Sequence, residues 1–443
     1  MSSTPHPDYD VIIIGGGPGG STTGTLLAMQ GHKTLIIERV PFPRFHIGES
    51  LIPETYWTFK RLNMLDKMRN SHFVKKYSVQ FVSSSGKETA PFYFDQHNPH
   101  ECSQTWQVLR SEFDTMMLDN AREHGVEVWQ PANVTEILLE PSDNDYLPRA
   151  TGVIVAHPDG TTRRISARVI VDATGTNAFL SKKLGIRSID PKLKKAATFA
   201  HYKDAIREPG KNGGATLVLA LQNQTRGWFW YIPLPDGVTS VGVVADLDYL
   251  IQGRDNPLQT LNEEIAKCPA VATRIASATR VSEIHVLQDF SYRANRCAGD
   301  GWVLVGDAFG FLDPMYSSGV FLALKSGEMA ADTIHDALTQ NDTSAESLSR
   351  WGNPLSDGMT AIRKLVYAYY SPGFSFGRFL KNHPQFQGDL TDLLIGNVFH
   401  PEQNNTYRAD ATRVFDTMQE TVSLPAAIPL QPPAPANTPV AAK

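Results

Sequence analysis

Gly15-Gly16-Gly17-Pro18-Gly19-Gly20 has the G-x-G-x-x-G spacing that lets a backbone wrap a pyrophosphate. Gly15 permits the tight turn, Gly17 the close approach of the chain to phosphate, and Gly20 with Gly24 the close packing of a helix on a sheet. The phosphates would meet free N–H groups and the positive end of that helix. Glu38 lies 23 residues after Gly15 at the end of the next strand, where a carboxylate accepts ribose hydroxyls. Two more strand-end motifs, Arg168-Val-Ile-Val-Asp-Ala-Thr-Gly175 and Trp302-Val-Leu-Val-Gly-Asp-Ala308, point to FAD rather than NAD. In the second, Asp307 is placed to reach a ribityl hydroxyl; its alternative reading is a helix cap. Far downstream, Trp228-Phe229-Trp230-Tyr231-Ile232-Pro233 reads as a buried strand, since aromatics suit a pleated surface. Beside a flavin the same run would also wall off the isoalloxazine ring.

The elements that must hold these residues are visible in the pattern. Residues 10–14 (DVIII) form an almost unbroken apolar run, as in a parallel strand covered on both faces. A helix is expected from about Ser21 to Gln30, ended by Gly31, and a second strand over Lys33–Glu38. Glu112 to His124 reads as a helix with Phe113, Met116, Met117 and Ala121 on one face. Between about 185 and 290 short alternating strands (215–220, 227–234, 239–244) separated by turns predict an antiparallel sheet. From about 321 to 420 the pattern is helical, and PAAIPLQPPAPANTPVAAK predicts an extended tail.

Composition narrows the function classes. At 443 residues, with 41% hydrophobic and 20% charged residues, the chain has core for two or three domains. A net charge of −5 argues against nucleic acid or an anionic membrane surface as partner. The three cysteines, widely spaced and without a C-x-x-C pair, argue against a disulfide framework or a metal site and fit a reducing cytosol. The N-terminus lacks a cationic segment followed by an apolar core, and no apolar run nears the roughly 18 residues of a membrane span. A cytoplasmic protein without stable membrane association is expected.

With these motifs in place, most of residues 8–340 resembles the FAD-dependent monooxygenase superfamily with the glutathione-reductase-type nucleotide domain. That resemblance implies FAD contacts from Gly15, Gly17, Gly20, Glu38 and Asp307, and a flavin-side arginine at Arg110 in Val-Leu-Arg-Ser-Glu-Phe-Asp114. No second G-x-G-x-x-G follows a strand, and residues 209–214 read as a loop, so no dedicated NAD(P)H site is expected. Three further islands resemble the flavin-dependent halogenases: Pro41-Phe-Pro-Arg-Phe-His-Ile-Gly-Glu-Ser-Leu-Ile-Pro53, with Arg44 and Ser50; Trp228-x-Trp230-x-Ile232-Pro233; and Phe311-x-Asp-Pro314-x-x-Ser317-Ser318-Gly319.

The resemblance implies a job for each. The Trp228–Trp230 pair keeps organic substrate from the flavin, so that a flavin C4a-hydroperoxide meets chloride or bromide and yields hypohalous acid. Halide binds at Ser318 and Gly319, whose backbone N–H groups form an anion nest in this reading; the bland alternative is a plain turn into a helix beginning near Val320. A lysine then activates the hypohalous acid. Lys75 and Lys76 point to opposite strand faces, and alignment of the resemblance on Phe81 makes Lys76 the candidate and Lys75 the runner-up. Arg44, Ser50 and Arg110 join the cofactor set. Tyr316 stands where indole-type halogenases carry a glutamate, and Phe81 is followed by Val82-Ser-Ser-Ser85 without the tryptophan found in relatives. Tyr316 and the 443-residue length point away from free-tryptophan halogenases and to the phenol or pyrrole branch.

The expectation is an α/β protein. A discontinuous Rossmann FAD-binding domain covers 8–185 and 290–340, with inserted substrate-side strands near 72–108. An antiparallel substrate-side sheet covers 186–289, a helical region 341–424 and a disordered Pro/Ala tail 425–443. Its function would be halogenation of an electron-rich aromatic, free or carrier-bound, with reduced FAD from a separate NAD(P)H-dependent flavin reductase, halide as co-substrate and no metal. An FAD aromatic hydroxylase or a geranylgeranyl-reductase-like flavoprotein is the alternative, and a non-catalytic flavin-fold binder a third.

Overall fold

The computed structural model describes residues 6–142, 147–221, 227–288, 291–399 and 405–431. The strand Tyr9–Ile14 sits in the middle of a sheet ordered Ala298–Gly299, Trp302–Leu304, Thr162–Asp172, Tyr9–Ile14, Thr34–Ile37, Glu127–Trp129. It pairs in parallel with both neighbours, with Ile14 opposite Asp172 on one side and Ile37 on the other. Val11, Ile12 and Ile13 are fully buried, which explains the unbroken apolar run. The segment Asn133–Glu140 and Arg149–Ala156 extends Thr162–Asp172 as an antiparallel meander.

The helix after the first strand spans Pro18–Met29, three residues earlier than the apolar pattern predicts. Proline is pre-organised for the first helical turn and Gly17 caps it without a side-chain bond, so the helix opens directly on the glycine loop. A Cβ on Gly24 would stand 2.8 Å from Ile36 Cδ1, and one on Gly327 2.8 Å from the Gly19 carbonyl oxygen. These close approaches let Pro18–Met29 lie flat between the sheet and the long helix Ser318–Thr339.

A second sheet is ordered Thr279–Arg280, Lys195–Lys203, Val238–Asp246, Trp228–Pro233, Thr216–Ala220, Ser78–Val82, Phe92–Tyr93, with His285–Gln288 also on Lys195–Lys203. Its pairings are antiparallel except one: Thr216–Ala220 runs parallel to Ser78–Val82. The expected all-antiparallel sheet is therefore mixed, because one of its strands arrives from a remote segment. The strands near 72–108 divide further, since Val74–Lys76 pairs with Thr105–Gln107 in a small sheet of its own.

Trp228–Pro233 is buried on both faces. Period-two alternation sends Phe229 and Tyr231 to a core with Leu261, Ile265 and Val271 of the outer helices Pro257–Ala266 and Pro269–Ile275. Trp228, Trp230 and Ile232 face the other way, into a cluster with Phe199, Met315, Val366 and Tyr370. The last two come from the helix Gly352–Tyr370, which splits its faces between this cluster and an outer one with Leu390 and Phe415. Residues 425–431, placed by sequence in the tail, are extended but tied down: Arg293 Nη2 donates to the Ile428 carbonyl at 2.5 Å and Gln431 N–H to the Asn295 carbonyl at 2.8 Å. The remainder of the predicted tail, 432–443, lies outside the described residues. Among those described, no helix is long and apolar enough to cross a membrane.

Candidate active site

A cleft of about 950 Å³ runs from the carboxyl ends of the parallel strands to the inner face of the second sheet. Gly15, Gly17, Glu38, Arg44, Ser50, Arg110, Trp228, Trp230, Asp307 and Gly319 all line it. Gly20 does not; a Cβ there would lie 2.0 Å from the Gly15 carbonyl oxygen, so this glycine serves the packing of the loop on itself.

At the loop end, Gly15 has φ +107° and its missing Cβ leaves room for the Ala173 carbonyl, 2.4 Å from where it would stand. Asp172 shapes the facing turn, accepting the Thr174 N–H at 3.0 Å, its hydroxyl at 2.7 Å and the Leu180 N–H at 2.7 Å. Glu38 accepts from the N–H groups of Gly16 (2.8 Å) and Val40 (2.9 Å), one per carboxylate oxygen, leaving lone pairs for further donors. Asp114, which sequence reasoning did not single out, is wholly buried between two cleft arginines. It meets Arg44 Nη1 at 2.9 Å and takes a two-pronged bond from Arg110 at 2.7 and 2.9 Å. The only sequence signal for it was its place four residues after Arg110. Arg44 is thereby held beside Gly17, whose Cβ would come within 3.6 Å of its guanidinium. Burial pushes the Asp307 carboxyl up to about 7, with Arg110 pulling the other way.

These features fit FAD. Gly17 leaves the backbone open beneath a helix N-terminus, a cation stands over it, and carboxylates wait at the ribose and ribityl ends. The residues that would hold the cofactor are Gly15, Gly17, Glu38, Arg44, Arg110 and Asp307. Ser50 lines the same cleft, but its hydroxyl lies 3.0 Å from Thr216 Oγ1 and accepts from Lys76 Nζ at 2.9 Å. Glu49, 2% exposed, bonds His201 Nε2 through one oxygen at 2.6 Å while its second oxygen has no partner.

The inner face carries the tryptophan pair. Their ring centroids are 6.2 Å apart at 57°. Trp228 Nε1 donates to the Tyr370 hydroxyl at 2.9 Å and Trp230 Nε1 to Ser240 Oγ at 3.1 Å. Gly242, opposite Trp230 across the strands, makes room for its ring, since a Cβ would meet Cζ2 at 2.2 Å.

Next to them the chain turns at Pro314–Tyr316. Asp313 accepts the Met315 N–H at 2.9 Å, Ser317 takes the left-handed conformation (φ +55°), and the helix Ser318–Thr339 begins with no side-chain cap. The expected start near Val320 moves two residues earlier because left-handed Ser317 already turns the chain. The first-turn N–H groups at Ser318 and Gly319 are thus left without intrahelical partners. Ser318 is buried, and Gly319 lies under the Phe311 ring.

Lys76 lies outside the large cleft. It lines a cavity of about 30 Å³ with Phe81, Phe92, Phe94, Tyr316 and Leu394, which shares Thr216, Met315 and Ser317 with the cleft. Lys75, on the other strand face, is exposed, whereas Lys76 is 1% exposed. Its Nζ donates to Ser50 Oγ and to the Leu51 carbonyl, both at 2.9 Å, and lies 5.7 Å from the Phe94 ring centre. Burial without an anionic partner lowers its pKa to about 7. These two donated bonds match the two N–H bonds of the neutral amine, whose lone pair would then point elsewhere. Among the described residues no group of three His, Cys, Asp or Glu is placed to hold a metal.

A parallel nucleotide-type sheet whose cleft opens onto a second sheet suits a flavoprotein, and the FAD binding domain family model matches residues 8–343. A 1H-pyrrole-2-carbonyl peptidyl-carrier-protein brominase of Pseudoalteromonas luteoviolacea (strain 2ta16) is 34% identical over 402 residues, 89% of this chain and 93% of that protein. The corresponding chlorinase of Pseudomonas fluorescens is 29% identical over 94% and 93%. A solved flavin-dependent brominase superposes with a TM-score of 0.81 at 30% identity over 93% of this chain and 99% of that one. The myxobacterial chondrochloren halogenase gives 0.76 at 28% over 95% and 99%. The chain belongs to the flavin-dependent halogenase family, with FAD as cofactor and halide as co-substrate.

Proposed function

We propose that this halogenase acts on an electron-rich ring of the pyrrole class held on a carrier protein, with reduced FAD delivered by a separate NAD(P)H-dependent flavin reductase. Two relatives aligned over nine-tenths or so of both chains carry that substrate in their names, which supports the carrier-bound ring. FAD, when bound and reduced, supplies the oxidising equivalent drawn from O2.

The chain's own residues divide the remaining tasks. Backbone N–H groups of Ser318 and Gly319 hold the halide at the helix N-terminus, where the dipole favours an anion. Trp228 and Trp230 fill the cleft wall and keep the organic acceptor and water from the flavin side. Hypohalous acid moves past Thr216, Met315 and Ser317 to Lys76. The 30 Å³ cavity there is about the size of one water, so both the oxidant and the acceptor ring enter by displacing side chains of its wall. Lys76 Nζ meets the oxidant with its lone pair, while Ser50 and the Leu51 carbonyl fix the amine through its N–H bonds. A buried lysine whose N–H bonds are both spent, in a cavity contiguous with the halide turn, is the observation that carries this reading.

The test supplies the enzyme with FAD, a flavin reductase, NADH and bromide, and offers pyrrole-2-carbonyl carrier protein beside free pyrrole-2-carboxylic acid. Mass spectrometry should show bromination of the carrier-bound ring and little or none of the free acid. Equal turnover of the free acid would sink the carrier assignment.

A further inference from the structure

We infer that Tyr370 and Asp313 are positioning residues for halide: a hydrogen-bonded line from the tryptophan wall to the turn before Ser318 fixes the shape of that turn. This rests on the reading of Ser318 and Gly319 as the halide site. The line has three links. Trp228 Nε1 donates to the Tyr370 hydroxyl at 2.9 Å, the hydroxyl donates to the Asp313 carboxylate at 3.2–3.3 Å, and Asp313 accepts the Met315 N–H at 2.9 Å.

All of it is out of solvent. Trp228 is 2%, Asp313 1% and Tyr370 7% exposed. In such a setting a donor or acceptor that loses its partner cannot turn to water, so each link holds the next in place. The far end is the part that matters for an anion. Met315 is two residues before Ser317, whose left-handed backbone aims the first N–H groups of Ser318–Thr339. Without Asp313 the Met315 N–H is unsatisfied and the turn relaxes, taking those donors with it. Tyr370 is held from its other side too, since Lys195 Nζ lies 3.9 Å from its ring centre while bonding Asp246 at 2.5 Å. The same line makes the wall and the halide turn move together, so one helix end from the C-terminal region serves both.

The experiment is a bromide titration of the FAD-loaded protein, read by thermal shift and tryptophan fluorescence, with halide KM and kcat measured alongside. Tyr370→Phe keeps its ring but removes the hydroxyl that the first two links share, Trp228→Phe removes only the first link and puts a smaller ring in place of the indole, and Gly319→Ala crowds the turn itself. We expect Tyr370→Phe to weaken bromide binding and raise halide KM about five- to tenfold, about 1–1.4 kcal/mol, with the loss in KM rather than kcat. Trp228→Phe should also weaken bromide binding, to a lesser degree, with kcat falling besides because Trp228 is part of the wall, and the double variant's loss of bromide affinity should fall short of the product of the two. Unchanged bromide affinity in both folded single variants overturns the inference. If Tyr370→Phe does not fold, Trp228→Phe alone decides by the same criterion. Failure of the underlying halide-site reading looks different: bromide binding that Gly319→Ala leaves untouched.

Discussion

The large cleft and the small cavity share Thr216, Met315 and Ser317 and differ in almost everything else. The cleft, about 950 Å³, is lined by glycines, backbone N–H groups and paired charges, and it suits a long anionic cofactor. The cavity, about 30 Å³, is lined mainly by aromatic and aliphatic side chains around one lysine. Most charges in the first have partners, as Arg44 and Arg110 have Asp114, although burial penalises Asp307 there; the amine in the second has no anionic partner, and its pKa falls. Halide oxidation wants fixed dipoles around an anion; transfer of the halogen wants a dry amine. On the function proposed above, two compartments joined at one turn would meet both demands.

The comparison breaks most completely at Lys76. Lys76→Ala should lower halogenated product by about two to four orders of magnitude, the range for loss of a positioned proton-transfer or nucleophilic group. Halide oxidation in the other compartment should persist, seen as bromination of monochlorodimedone. Lys75→Ala, on the exposed face, should stay within about twofold, in keeping with surface substitutions generally. Loss of both activities in a folded Lys76→Ala protein would mean the two cavities do not divide the work.

A smaller effect is expected at the wall. Gly242→Ala places a methyl 2.2 Å from the Trp230 ring and 2.5 Å from the Phe199 Cβ, and both neighbours line the large cleft, the open side towards which the ring would be driven. Overpacking of this kind costs about 1–3 kcal/mol, so Tm should fall by several degrees. With the ring pushed towards the cleft, product per NADH consumed should drop about tenfold as peroxide is released instead. A Gly242→Ala protein with native Tm and full coupling would show that Trp230 has slack and is not a wall.

How much of this was legible beforehand differs between the two compartments. The glycine loop, Glu38 and the tryptophan pair are local patterns, legible without any long-range pairing. The choice between Lys75 and Lys76 could be framed as a matter of opposite faces, but only pairing with Thr105–Gln107 decides which one is buried. Helix starts were late at both Pro18 and Ser318, because a glycine and a left-handed serine set them, and apolar periodicity does not register either. Asp114 was hidden in a helix that reads as amphipathic. Tyr370 and His201 were out of reach, since their partners Asp313 and Glu49 lie 57 and 152 residues away. Long-range polar pairs leave no period in a sequence.

The mildest prediction uses pH to title the two compartments apart by titration. Burial lowers the Lys76 pKa to about 7, so the reactive neutral amine grows as pH rises through about 7. Burial raises the Asp313 carboxyl to about 7 as well, with Lys195, Tyr316, Tyr369 and Tyr370 facing it. Above that pH it is anionic, four residues from left-handed Ser317, and halide should bind less well. The signs are opposite. At limiting bromide and saturating FAD, product formation should therefore pass through a maximum near 7, the lysine giving the rising limb and the aspartate the falling one. Saturating bromide should erase the falling limb and leave the rising one, and Asp313→Asn should erase it at any bromide concentration. The expected amplitude is a few-fold, since the two pKa values nearly coincide and neither group is fully in its active form at the maximum. A profile whose falling limb survives saturating bromide would place that titration in the large cleft, away from halide.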